Sequence, residues 1–167
     1  VLYNMGSLSV VDIINRQEYY RILTSLFLHA NPQHIWGNMI FLAALGDMLE
    51  KSIGHGRFFA IYMLAGIGGN LLSMGHELAT GQFCSTIGAS GAVFGLIGAL
   101  LLLICKNNGT YGQISFRRMI FAIVYLFYSG IQSETTNNMA HLGGFITGFA
   151  VMAVFYCITR RRYKRIR

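Results

Sequence analysis

The chain has 167 residues, 54% of them apolar and 11% charged, with a mean hydropathy of +0.50. These values exclude an ordinary water-soluble domain and place the chain in a bilayer. The net charge of +7 does not call for nucleic acid, because the basic residues sit at the ends of apolar segments and in the C-terminal tail, where they report topology.

One proline and twenty glycines predict helices packed closely through small residues. The apolar runs are continuous rather than alternating, which argues against a barrel. The expected fold is all-α, a polytopic membrane bundle. In chain order, a polar entry segment at 1–34 precedes five spans at roughly 35–49, 58–76, 87–105, 118–131 and 139–159. A crossing takes about 20 residues, so the shorter spans must be extended by their flanks or shielded by protein. Loops are expected at roughly 50–57, 77–86, 106–117 and 132–138. No cleavable signal peptide is expected, since the start lacks a basic region followed by a long apolar stretch.

Lysine and arginine in alternate connections set the orientation. Lys51, Arg57, Lys106, Arg117, Arg118 and the six basic residues within 160–167 share one side, against Arg16 and Arg21 on the other. The basic tail is therefore expected in the cytoplasm, with the entry segment, Glu77 and Glu134 facing outward. Cys84 then lies on the outer side and Cys105 and Cys157 near the inner face, so no disulfide is expected.

With this orientation the first, third and fifth spans open at the outer face, beside His34, Ser90 and His141. Hydropathy alone requires no polar group at three equivalent helix starts, and their coincidence points to one shared site. Ser90 lies sixteen residues before Lys106, about 24 Å along a helix, which puts it several ångströms below the outer edge of a core about 30 Å thick. The backbone before it must therefore enter the hydrocarbon zone as irregular chain shielded by protein or lining a wet cavity.

Gly88 and Gly91 flank Ser90 and let backbone N–H groups approach a reacting carbonyl. Position 92 is alanine, so the nucleophile elbow of soluble hydrolases, Gly-x-Ser-x-Gly, is rejected. Taken alone, Gly-x-Ser-Gly is more often a helix-packing motif than a catalytic one. Gly91, Gly95 and Gly98 form one small face and Gly144 with Gly148 another, which would let Ser90 and His141 touch. With Glu77 and Glu134 expected in outer loops and Asp47 and Glu50 at the opposite face, no acid is left for a triad. A Ser/His dyad is inferred, with His141 as general base and then general acid. Phe94, one turn after Ser90, is placed to stack on the imidazole, although a membrane phenylalanine usually only packs.

His34 and Asn38 are four residues apart on one helix face and both can donate hydrogen bonds, as an oxyanion hole needs. The alternative is that they tie down the entry loop, the reading preferred for His29. Zinc is disfavoured because His29 and His34 are five apart and there is no His-Glu-x-x-His. No metal or other cofactor is expected.

These residues together resemble the rhomboid family of intramembrane serine proteases. Tyr19-Tyr20-Arg21 resembles its aromatic-Arg motif, His34 to Asn38 its His-x-x-x-Asn, Gly88 to Gly91 its Gly-x-Ser-Gly, and Ala140 to Gly148 its Ala-His-x-x-Gly-x-x-x-Gly. The resemblance implies Ser90 as nucleophile, His141 as base, and His34 and Asn38 as oxyanion donors beside the Ser90 N–H. It also implies Gly88 in the active-site loop, Phe94 against the histidine, and Arg21 and Glu50 as structural polar residues. Transmembrane helices of other proteins would be cut near their outer ends, after a small residue, by a multi-pass protein of the lipid bilayer, expected in a bacterial plasma membrane.

Two departures from the family pattern stand out. Tyr20 replaces the usual tryptophan, and the six-helix core begins with a helix this sequence does not contain, so 1–167 is expected to be a trimmed single domain with five of the six spans. Two competing classes are weighed against the protease. A non-catalytic rhomboid-like binder of membrane helices would lack the serine or the histidine, and both are present. A channel or transporter would spread ionisable residues along several spans, whereas here they gather at one depth.

Overall fold

A computed structural model describes residues 2–133 and 136–159. Glu134 and the basic tail at 160–167, both of which bear on the orientation, lie outside the described residues. Five long helices carry the fold: α4 (Pro32–Ile53), α5 (His55–Thr80), α6 (Ser90–Lys106), α7 (Phe116–Ile131) and α8 (Asn138–Ile158). Ahead of them the entry segment folds into short helices, α1 (Leu2–Gly6), α2 (Val10–Arg16) and α3 (Arg21–Thr24), with a 3-10 turn at Ser25–Phe27. A two-stranded hairpin, β1 (Thr110–Tyr111) and β2 (Ile114–Ser115), connects α6 to α7.

Local chemistry sets the helix ends. Asn31 caps α4 by accepting from the His34 N–H, and Pro32 follows in the first turn, where its missing donor costs nothing. Gly81, at φ 73°, ends α5 in the left-handed conformation. Asn137 caps α8 through the Ala140 N–H. The third span opens at Ser90, later than the apolar run suggests, because Gly88 at φ 123° holds a conformation that no helix contains.

Helices α5 and α8 are each long and apolar enough to cross a membrane, with mean hydropathies of 1.5 and 1.7. Helix α6 has 17 residues, about 25 Å, and sits at the centre with nearly every side chain from Gly91 to Ile104 buried. Protein on all sides makes this short span tolerable. Helix α7 departs from the expected shielding. It is 16 residues long yet leaves Phe121, Val124, Tyr125 and Tyr128 exposed, because it rests on only one side of α6 and α8.

Glycine brings α6 and α8 into contact. A methyl group on Gly144 or Gly148 would run into the backbone carbonyl of Gly91 or Gly95, and one on Gly98 into that of Phe145. Helix α5 joins the same seam, since Gly69 lies against the Ala140 carbonyl and Gly143 against Gly68 and Gly69. The core spreads from this seam toward the Lys106 end of α6 through Leu49, Ile61, Leu96, Leu100, Ile104 and Met152.

Glu77 corrects an expectation. It is not in an outer loop but near the end of α5, 3% exposed, because the helix continues to Thr80 and the carboxylate folds back on Ser73 and Cys84.

The seam makes a direct prediction. Gly148→Ala should destabilise the protein by about 1–3 kcal/mol, the usual cost of overpacking. Gly75→Ala on α5, where nothing lies within 4 Å of the added methyl, should be neutral or stabilising by up to about 1 kcal/mol. Thermal unfolding in detergent reads both, and equal effects would show that the seam is not tight.

Candidate active site

Ser90 is the first residue of α6, so its N–H and the next ones have no partner within the helix. The loop leading to it is held by backbone pairing. Leu8 and Thr86 exchange hydrogen bonds at 2.8 and 3.0 Å, and the Gly88 N–H donates to the Ser25 carbonyl at 2.9 Å. Gly88 is fixed as glycine twice over, by its φ and because a Cβ would lie 2.8 Å from the His34 ring.

Across the seam, His141 Nε2 is 2.8 Å from Ser90 Oγ. The imidazole lies flat on Phe94, with centroids 4.2 Å apart and planes 11° from parallel. Phe94 in turn meets Phe127 of α7 edge-on at 5.1 Å. His141 Nδ1 is buried and has no hydrogen-bond partner, carboxylate or other, among the described residues.

Asn38 and His34 face the same space from α4. Asn38 is 7% exposed, and its Nδ2 is buried with no partner among the described residues. The Ala30 N–H points at His34 Nδ1 at 3.4 Å, which leaves the His34 proton on Nε2, the nitrogen turned toward Gly88. His29 meets His34 edge-on, with centroids 5.1 Å apart. Burial pushes the His29 imidazole below its ordinary pKa, and a bond to the Phe27 backbone partly offsets this.

A cavity of about 740 Å³ joins these groups, with His34, Asn38, Gly88, Ser90, Phe94 and His141 in its wall. Arg21 and Glu50 do not reach it. Arg21 is 3% exposed and clamps the entry helices, donating to Glu18 at 2.6 Å and to the carbonyls of Ser7 and Asn4 at 3.0 Å. Glu50 pairs with His55 at the C-terminal end of α4. Cys84 also lines the cavity, but burial and then the neighbouring Glu77 push its thiol above the ordinary range, making it a poor nucleophile at neutral pH. No cluster of metal-ligating side chains occurs among the described residues.

Sequence reasoning missed Ser25, Ser73, Thr86 and Asn137, which brace this site. Of these, only Asn137 carried a legible signal, as an asparagine just before an apolar helix.

A half-buried serine in contact with a buried histidine inside a bundle of apolar helices suggests a class of integral membrane proteins, and comparison with known proteins gives the family. A model of the rhomboid domain matches residues 16–157, and the chain belongs to the rhomboid family. RHOMBOID-like protein 1 of Arabidopsis thaliana is 37% identical over 156 residues, 92% of this chain and 39% of that protein. Rhomboid protease GluP of Bacillus subtilis (strain 168) is 33% identical over 142 residues, 85% of this chain and 27% of that protein. YdcA of the same bacterium is 30% identical over 163 residues, 96% of this chain and 76% of its own length. The chain thus spans under half the length of the first two. Plant and bacterial relatives alike mark an integral membrane protein and do not point to a bacterial source.

Proposed function

We propose that this protein is an intramembrane serine endopeptidase that cuts transmembrane helices of other proteins near their outer ends. The observation that carries the reading is the 2.8 Å contact between Ser90 Oγ and His141 Nε2, on a cavity that Asn38 lines, its Nδ2 buried and without a partner among the described residues. We take 1–167 as one membrane domain, in line with the family match at 16–157, and the bias of lysine and arginine among the connections is the ground for setting its site toward the outer face and its basic tail in the cytoplasm.

In the proposed reaction His141 Nε2 takes the Ser90 proton as Oγ attacks the scissile carbonyl. The carbonyl oxygen becomes an anion, and three donors face it: the Ser90 N–H, Asn38 Nδ2–H and His34 Nε2–H. The positive end of α6 adds to them. His141 then protonates the leaving amine, and a water activated by the same ring hydrolyses the acyl-enzyme. A dyad suffices here, since the stack on Phe94 holds the ring in the way a carboxylate does elsewhere.

Ser90→Ala and His141→Ala should each abolish cleavage of a transmembrane substrate in liposomes while the helical fold is kept, because the two act as a unit. Near-normal turnover in Ser90→Ala would end the protease reading and favour a non-catalytic binder.

Asn38→Ala should lower kcat by about tenfold to a thousandfold, more than it changes KM, as loss of one oxyanion donor does. An unchanged kcat with a lower melting temperature would make Asn38 structural.

An intact substrate helix keeps its carbonyls hydrogen-bonded internally, so it must unwind before a peptide bond can reach Ser90 below the membrane surface. Substrates with Gly or Pro in the outer third of the span, and a small residue before the scissile bond, should be cut fastest. Replacing the breakers with Leu should slow cleavage of the helix and affect a short unstructured peptide much less. Equal rates for rigid and broken helices would contradict the buried position of the site.

A further inference from the structure

Glu77 is a buried carboxylate that the proposed mechanism does not use, and it has no ion pair among the described residues. Such a group is costly, so its contacts need a reason. Every contact it makes is with a donor. Ser73 Oγ donates to Oε1 at 3.1 Å, the Cys84 N–H to Oε2 at 3.3 Å and Cys84 Sγ to Oε1 at 3.5 Å.

These contacts set the direction of the next bond. A hydroxyl has one proton, so a Ser73 that donates to Glu77 can only accept from its other neighbour. That neighbour is Asn137, whose Nδ2 donates to Ser73 Oγ at 2.6 Å and to Thr86 Oγ1 at 2.7 Å. With its nitrogen turned inward, Asn137 must present Oδ1 to the Ala140 N–H, at 3.0 Å, and so caps α8. A carboxylate on α5 that accepts from Ser73 is thereby linked, bond by bond, to the start of the helix that carries His141.

Thr86 lies four residues before Ser90 and Asn137 four residues before His141. We propose that Glu77, Ser73, Asn137 and Thr86 are positioning residues that hold the Ser90 loop and the outer end of α8 to one post on α5, setting the Ser90–His141 contact. The inference rests on the protease reading. The loop at 82–89 has little regular structure of its own, and its other bonds run to Leu8, Ser25, Tyr3 and Glu77 rather than to α8, so the Asn137–Thr86 bond is what ties it to the start of that helix.

The test compares the full chain with Thr86→Val, Thr86→Ser and Asn137→Ser in liposomes, measuring kcat and KM for a transmembrane substrate well below the melting temperature. Thr86→Val keeps the side-chain shape and removes the acceptor, whereas Asn137→Ser keeps a capping oxygen that is too short to reach Ser73. Each should lower kcat about tenfold to a hundredfold, as a misplacement of about 1 Å does, with KM within about twofold. Thr86→Ser, which retains the hydroxyl, should restore kcat. The Thr86→Val/Asn137→Ser double variant should lose little more than either single one, because both break the same bond. Unchanged kcat in Thr86→Val, or an equal loss in Thr86→Ser, overturns the proposal while wild-type cleavage leaves the protease reading standing. An inactive wild type sinks both.

Discussion

The close approach of α6 and α8 is the constraint on which the rest depends. Lipid supplies no hydrophobic drive between helices, so the pair is held by backbone packing through Gly91, Gly95, Gly144 and Gly148. That packing puts a residue at the top of each helix within side-chain reach of the other, and those residues are Ser90 and His141. Side chains larger than hydrogen along the seam would separate the helices by more than a hydrogen bond can span. The geometry of the candidate site is thus a property of the seam before it is a property of the serine or the histidine.

Around that contact the protein leaves polar groups unpaired. Asn38 Nδ2 and His141 Nδ1 are buried without partners among the described residues, and each such group costs about 1–3 kcal/mol. The two have different consequences. An unpaired donor beside a cavity is a group that a developing anion could satisfy. An imidazole with an unpaired Nδ1 lacks a second hydrogen bond to orient it, and beside the Nε2 contact with Ser90 the face-to-face stack on Phe94 holds its plane. The bonded residues nearby show the opposite treatment. Arg21, Asn70, Ser73 and Glu77 are as deeply buried but fully engaged, which makes the region around the cavity stiff and leaves the free donors at its wall.

Much of this is legible in the sequence, and the reasons are particular. The spans at 35–49, 58–76 and 118–131 fall inside α4, α5 and α7 because long apolar runs in lipid have no alternative to helix. Hydropathy starts the third span at 87, since Ile87, Gly88 and Ala89 are as apolar as the residues of α6 itself. It does not carry the positive φ of Gly88 that delays the helix to Ser90. The fold of the entry segment is not legible at all, because its short helices are set by tertiary contacts of Arg21 and Leu8 rather than by periodicity. Glu77 is misplaced by sequence for a related reason. A carboxylate next to an apolar run reads as the start of a loop, and only the partners brought by Ser73 and Cys84 make its burial possible. The Ser90–His141 pairing can be inferred because glycine spacing carries helix contacts. The Asn137–Thr86 bond cannot, because no pattern in either segment points to the other.

If Ser90 is a nucleophile activated by His141 inside the membrane, the most direct test is reaction of the membrane-embedded protein with a small fluorophosphonate, with the adduct mapped by mass spectrometry. The dyad predicts a single modified serine, Ser90, and loss of that modification when His141 is replaced by alanine. Labelling that persists without His141, or that falls on another serine, would contradict it.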